Sequence, residues 1–264
     1  MTHDTIRFAQ IDWDQRRISL EYQWVGAETS DHPVLVFLHE GLGSLAMWKN
    51  FPDQFCRENG LRGLVFSRYG YGQSTARPAA ERWGVDFMHR QAHEMLPLFF
   101  ASVGVEQPWL FGHSDGGSIA LLYAARFAGQ LSGIVVVAPH IMVEDVSIAS
   151  IRAAREAYLT PGLRDRLSRY HADVDSAFFG WNDIWLDPDF RAWNIEAELP
   201  AITCPVLAVQ GEDDEYGSLR QVLGIQEKIP LARVVVLPQC GHSPHRDQPE
   251  ALSSEVAHFI INKR

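Results

Sequence analysis

The sequence predicts an α/β fold: a mostly parallel central sheet, helices on both of its faces, and one helical segment inserted late in the chain. Three observations predict it. Short apolar runs recur: PVLVFL (33–38), RGLVFS (62–67), PWLFG (108–112), GIVVVA (133–138), CPVLAVQ (204–210) and ARVVVLP (232–238). Helix-like stretches alternate with them, as expected of buried strands covered on both sides. Residues from about His140 to Pro200 then break that rhythm with an Arg- and aromatic-rich segment that lacks strand-like runs.

Taken in order, TIRFAQIDW and RISLEYQWV read as two strands joined by a hairpin turn at DWDQR. After the run at 33–38, SLAMWKNFPDQFCREN reads as one helix ending at Gly60, with Pro52 inside it. FMHRQAHEMLPLFFASVG is helical and closes at Gly104, and GSIALLYAARFAG is helical and closes at Gly129. A helix is expected between the strands at 204–210 and 232–238, and PEALSSEVAHFIIN forms the last one. The division that follows is a core of residues 1–139 and 201–264 with a helical cap at 140–200.

The chain's 264 residues, 46% of them hydrophobic, suffice for one large core. A formal net charge of −10 argues against nucleic acid and anionic membrane surfaces as partners, since both require basic patches. The beginning, MTHDTIRFAQIDWD, lacks the basic-then-apolar order of a signal peptide, and no apolar run approaches a membrane span. Cys56, Cys204 and Cys240 are odd in number and widely spaced, so no disulfide framework or zinc pattern is expected. The expectation is a cytoplasmic protein acting on a small molecule. Nothing in the sequence sets its oligomeric state.

GHSDGG (112–117) places glycines around Ser114 at a strand-to-helix junction. Gly112, Ser114 and Gly116 fit G-x-S-x-G, a turn that lifts a serine oxygen above the sheet and requires small neighbours. A serine hydroxyl is a weak nucleophile and needs a base, which needs an orienting acid. On this architecture they follow in the order Ser, acid, His. GEDD puts Asp213 and Asp214 just after one strand, and CGHSPH puts His242 just after the next. An oxyanion hole would join the Asp115 N–H to one from the HEGLGS loop, assigned to Gly41 with Leu42 as the alternative.

LHEGLGS, SRYGYGQS, GHSDGG, GEDD and CGHSPH, in this order, resemble the α/β-hydrolase superfamily, near its esterase, lactonase, C–C hydrolase and proline-iminopeptidase-like branch with a helical cap. The resemblance spans nearly the whole chain. It implies Ser114 as nucleophile, Asp214 as acid, His242 as base and a covalent acyl-enzyme; the expected chemistry needs no metal or other cofactor. Three departures stand out: His39-Glu40 where His-Gly is usual, Ser67-Arg68-Tyr69-Gly70 at the RGYG-like loop, and an aspartate directly after the serine.

Several of these positions also admit a purely structural role. A phosphate-binding turn would need a Lys after its last Gly, and none follows Gly117. His242, His245 and Asp247 are close in sequence, but Pro244 separates the histidines and no second ligand cluster appears. Trp181 and Trp185, with Phe178, fall at helical spacing and suit packing, an apolar substrate pocket, or both. His140 borders the site mouth or starts the cap. Arg152, Arg155, Arg164, Arg166 and Arg169 read mainly as a solvated face. The function expected is hydrolysis of an ester, lactone or related acyl compound of a small, mostly apolar acid. The alternatives are C–C cleavage or peracid formation on the same residues, or a slow-turnover ligand-binding protein.

Overall fold

The computed structural model describes residues 5–261. Strands β1 (Arg7–Trp13) and β2 (Arg16–Gly26) form the hairpin, with Trp13 opposite Arg16. Asp14 and Gln15 alone make the turn, at φ of 52° and 60°. That left-handed pair matches the twist of the flanking strands. Beyond lie β3 (Leu35–Leu38), β4 (Arg62–Phe66), β5 (Trp109–His113), β6 (Gly133–Val137), β7 (Val206–Gly211) and β8 (Arg233–Leu237). They form one sheet in the order β1-β2-β4-β3-β5-β6-β7-β8, in which β2 runs antiparallel to β1 and β4 and the later pairs are parallel.

Residue alternation divides the core in two. Val36, Leu38, Leu64, Phe66, Leu110, Ile134 and Val136 pack on one face, and Phe37, Val65, Phe111, Val135, Leu207 and Val209 on the other. The central strands are therefore apolar throughout. β8 departs from that expectation: it is the sheet edge, and Val236 is exposed.

Helices α1 (Phe51–Glu58), α2 (Phe87–Arg90), α3 (Leu96–Val103) and α4 (Asp115–Arg126) cover the first half. The single helix expected from Ser44 to Gly60 is split. A 3₁₀ turn at Leu45–Trp48 ends at Lys49, whose φ is +55°, and Pro52 then sits in the first turn of α1. Proline lacks the N–H a helix interior needs but costs nothing at a helix start, so Pro52 begins a helix instead of interrupting one. A wide turn at Gln91–Met95 joins α2 to α3 just before Pro97, and Gly104 closes α3 at φ +68°. α4 begins two residues earlier than expected, immediately after Ser114.

Between β6 and β7 lie α5 (Asp145–Leu159), α6 (Leu163–Leu167), α7 (Val174–Trp185) and two short 3₁₀ turns. The two ends of this segment are tied together: Ile195 N–H donates to the Ile141 carbonyl at 2.8 Å, and Val143 N–H to Trp193 at 3.2 Å. Asp173 caps α7 by accepting from Ser176 N–H. α8 (Arg220–Lys228), α9 (Pro244–Asp247) and α10 (Pro249–Ile261) complete the chain; Asn262, expected in the last helix, lies outside the described residues.

Candidate active site

The loops after β3, β5, β6, β7 and β8 meet at one end of the sheet, at the carboxyl ends of its parallel strands. Ser114 sits between β5 and α4 at φ 53°, ψ −120°, a conformation strained for any residue with a side chain. Its glycines are there because backbone passes too close for a Cβ. A Cβ on Gly112 would meet the Gly116 carbonyl, and one on Gly116 the Leu38 and His39 carbonyls. Gly116→Ala is therefore expected to cost at least ~1–3 kcal/mol of stability in chemical denaturation, because backbone and not a flexible side chain must move.

Ser114 Oγ lies 2.9 Å from His242 Nε2, and His242 Nδ1–H donates to Asp214 Oδ1 at 2.8 Å. The loops of β5, β7 and β8 thus bring together three side chains spread over 128 residues. The Asp214 carboxylate is over-determined: the N–H groups of Tyr216 and Gly217 donate to Oδ1 at 2.8 and 3.2 Å, and Gln210 to Oδ2 at 3.2 Å. Burial acts to raise its pKa, but the hydrogen bond and charge of His242 and the Tyr216 N–H outweigh it and hold the carboxyl below the usual range. Asp213 and Glu215 are exposed. Glu215 still touches the site, accepting from the His242 backbone N–H at 3.1 Å.

A cavity of about 160 Å³ opens beside Ser114. Its lining includes Gly41, Leu42, Asp115, His140, Trp181, Trp185 and His242, so every site residue expected from the sequence except Asp214 borders it. Gly41 and Leu42 are the middle of a turn closed by Gly43 N–H to the Glu40 carbonyl at 3.1 Å. Gly41 must be glycine because the Trp181 indole lies where a Cβ would project. Trp181 and Trp185 are also buried in the core, so packing and lining coincide. Trp185 packs edge-on against His140 at 4.9 Å and donates from Nε1 to Asp115 Oδ1 at 3.2 Å.

Sequence reasoning missed several contacts. His39 donates from Nδ1 to the Glu40 carbonyl at 2.7 Å and accepts from Arg68 N–H at 3.0 Å. The fully buried Arg68 donates to the same carbonyl at 2.8 Å, bracing the turn that carries Gly41. His113 Nε2–H donates to the His242 carbonyl at 2.7 Å, fixing the loop that bears the ring, while Glu40 Oε2 lies 3.6 Å from His113 Nδ1. These pairs join segments far apart in sequence, and no local motif announces them. His245 packs on Trp48 at 4.9 Å and Asp247 accepts from Gly241 N–H, so they serve the loop around His242. Among the arginines of the inserted segment, Arg155 pairs with Asp183 and Arg164 with Asp175, and none lines the cavity.

Several histidines are buried neutral. Burial, reinforced by neighbouring positive charge, lowers the pKa of His140 and of His245 to about 3, and that of His39 well below its ordinary value. Between those values and about 6.5 the unfolded chain binds protons that the native one does not, so stability falls as pH falls. Asp115, raised by burial to about 6, works in the opposite sense over a narrower window. A net loss of roughly 2 kcal/mol between pH 7 and 5.5 is expected in urea titrations. Unchanged stability would mean these rings titrate normally.

A family model described as the alpha/beta hydrolase family matches residues 35–255. A protein of Caulobacter sp. (strain K31) provisionally named carbamate hydrolase RutD is 27% identical, covering 89% of this chain and 93% of its own. The 2-hydroxy-6-oxononadienedioate/2-hydroxy-6-oxononatrienedioate hydrolase of Comamonas testosteroni is 21% identical over 89% of this chain and 90% of its own. Among solved structures, the proline iminopeptidase of Mycobacterium smegmatis superposes with a TM-score of 0.77 at 20% identity, covering 98% of each chain.

Proposed function

The chain belongs to the α/β-hydrolase family, and from that premise we propose that it is a serine hydrolase acting through an acyl-enzyme on an ester, lactone or related acyl compound of a small acid. The hydrogen-bonded series Asp214–His242–Ser114, at 2.8 and 2.9 Å beside an open cavity, carries this reading. His242 takes the Ser114 proton as the oxygen attacks the carbonyl. Asp214 holds the ring with Nδ1 protonated and stabilises the imidazolium. The N–H of Asp115 at the start of α4 and that of Gly41, or of Leu42 beside it, receive the oxyanion. His242 then returns the proton to the leaving group, and water, activated by the same ring, releases the acid. The segment 140–200 acts as a cap, contributing Trp181, Trp185 and Ile151 to the wall.

C–C cleavage is the weaker reading. The Comamonas relative's named substrate is a dicarboxylate, whereas among the described residues no Lys or Arg lines this cavity to hold one. The test is a fluorophosphonate label with peptide mapping, beside a panel of p-nitrophenyl esters. Label on Ser114 and steady turnover are expected; label on another serine overturns the assignment, and binding without turnover would indicate a sensor.

The cavity also bears on selectivity. Trp181→Ala and Trp185→Ala are expected to improve longer acyl esters relative to acetate by about tenfold or more, since one methylene-sized contact is worth roughly 1–3 kcal/mol. Equal losses across all chain lengths would mean that both indoles only support the fold.

A further inference from the structure

In the proposed mechanism Asp115 acts only through its backbone N–H, yet its side chain is the most conspicuous polar group of the cavity. It is fully buried and borders the space beside Ser114. Trp185 Nε1–H donates to its Oδ1, and its Oδ2 has no hydrogen-bond partner among the described residues. Buried oxygens are rarely left so, because the lost solvation is not returned. On the same cavity the buried His140 ring also has an unpartnered Nδ1. The acidic side chains Glu40, Asp115 and Glu215 line the cavity, and among the described residues no Lys or Arg stands on its wall. Arg68, behind the wall, donates to the Glu40 carbonyl and to Gln91; its charge favours the ionised form of Asp115 without bonding it, and Arg246 approaches Glu40 no closer than 3.7 Å.

We propose that Asp115 is a specificity-determining residue whose free carboxylate oxygen accepts a hydrogen bond from a protonated amine on the acid part of the substrate. This rests on the serine-hydrolase reading and narrows it to small aminoacyl esters or amides. The amine meets Asp115 Oδ2, with His140 Nδ1 as a second acceptor. Trp181 covers the apolar remainder. A cavity near 160 Å³ admits only a few heavy atoms beyond the reacting carbonyl. A carboxylate in the amine's place would meet the Asp115 carboxylate with no Lys or Arg on the wall to offset it and is disfavoured.

Calorimetric binding to the Ser114→Ala variant at pH 7 tests this without turnover. The probes are methyl 3-aminobutyrate, methyl 3-hydroxybutyrate, methyl 3-methylbutanoate and monomethyl succinate. The amine is expected to bind about tenfold tighter than either neutral ester, with the succinate weakest. Adding Asp115→Asn, which keeps an oxygen for Trp185, should bring the amine within about twofold of the neutral esters. Equal binding of the amine and its neutral isosteres overturns the proposal, even where the Asp115 variant fails to fold. So does an amine preference that survives Asp115→Asn. Absence of hydrolysis by the unsubstituted enzyme would count against the serine-hydrolase reading alone.

Discussion

Ser114→Ala is expected to abolish ester hydrolysis to within the background, a loss on the order of 10⁴- to 10⁶-fold in kcat, while the protein stays folded. His242→Ala should cost about as much, because nucleophile and base act as a unit and the loss of either strands the other. Stability separates the chemical role from a structural one. Ser114 adopts φ 53°, ψ −120°, which a side chain makes costly. Glycine relieves that strain, roughly 1–3 kcal/mol, against roughly 0.5–1 kcal/mol of added chain entropy. Ser114→Gly is therefore expected to be inactive yet no less stable than Ser114→Ala. Thermal unfolding of the two variants, beside single-turnover assays, checks both halves. An active Ser114→Ala protein would remove the nucleophile from the proposal.

That strained serine was legible because its cause is local. The close approach at Gly112 and Gly116 needs glycine at fixed offsets, so it leaves a spelling in the chain. The parallel strands were legible for a similar reason: burial on both faces makes each run apolar without alternation. The edge strand β8 reads the same but is partly exposed, because sequence records what a strand tolerates and not which neighbour it lacks. Pro52 misled in the opposite direction, since a proline in a helix-like run marks a start as readily as a break. The contacts around Asp115 and Glu40 were not legible at all. Whether an aspartate beside a nucleophile faces water or a tryptophan 70 residues away depends on how the inserted segment packs, and no short-range pattern encodes that.

Asp214→Asn is expected to leave Ser114 in place but lower kcat by up to about 10⁴-fold. The reason is the tautomer. The carboxylate oxygen at 2.8 Å accepts from His242 Nδ1–H, which leaves Nε2 free to take the serine proton. The amide has one oxygen and one NH₂. With its oxygen at the Oδ1 position the ring and the Tyr216 and Gly217 N–H groups keep their acceptor, but the NH₂ then faces the Gln210 NH₂, donor against donor, and the negative charge that stabilises the imidazolium is gone. The opposite flip gives Gln210 an oxygen but turns the NH₂ toward the ring and the Tyr216 and Gly217 N–H groups, which favours a proton on the wrong ring nitrogen. Asp213→Asn should cost far less. Adjacent side chains on an extended loop point to opposite sides, and Asp213 is exposed, with its N–H donating to the Cys240 carbonyl at 2.9 Å. Glu215→Gln should fall between them, because Glu215 accepts from the His242 backbone N–H and touches the loop without touching the ring's nitrogens. Steady-state kinetics of the three variants on one activated ester decide the order. A dead Asp213 variant beside an active Asp214→Asn would mean that the loop is shifted by one residue and that a different carboxylate orients the base.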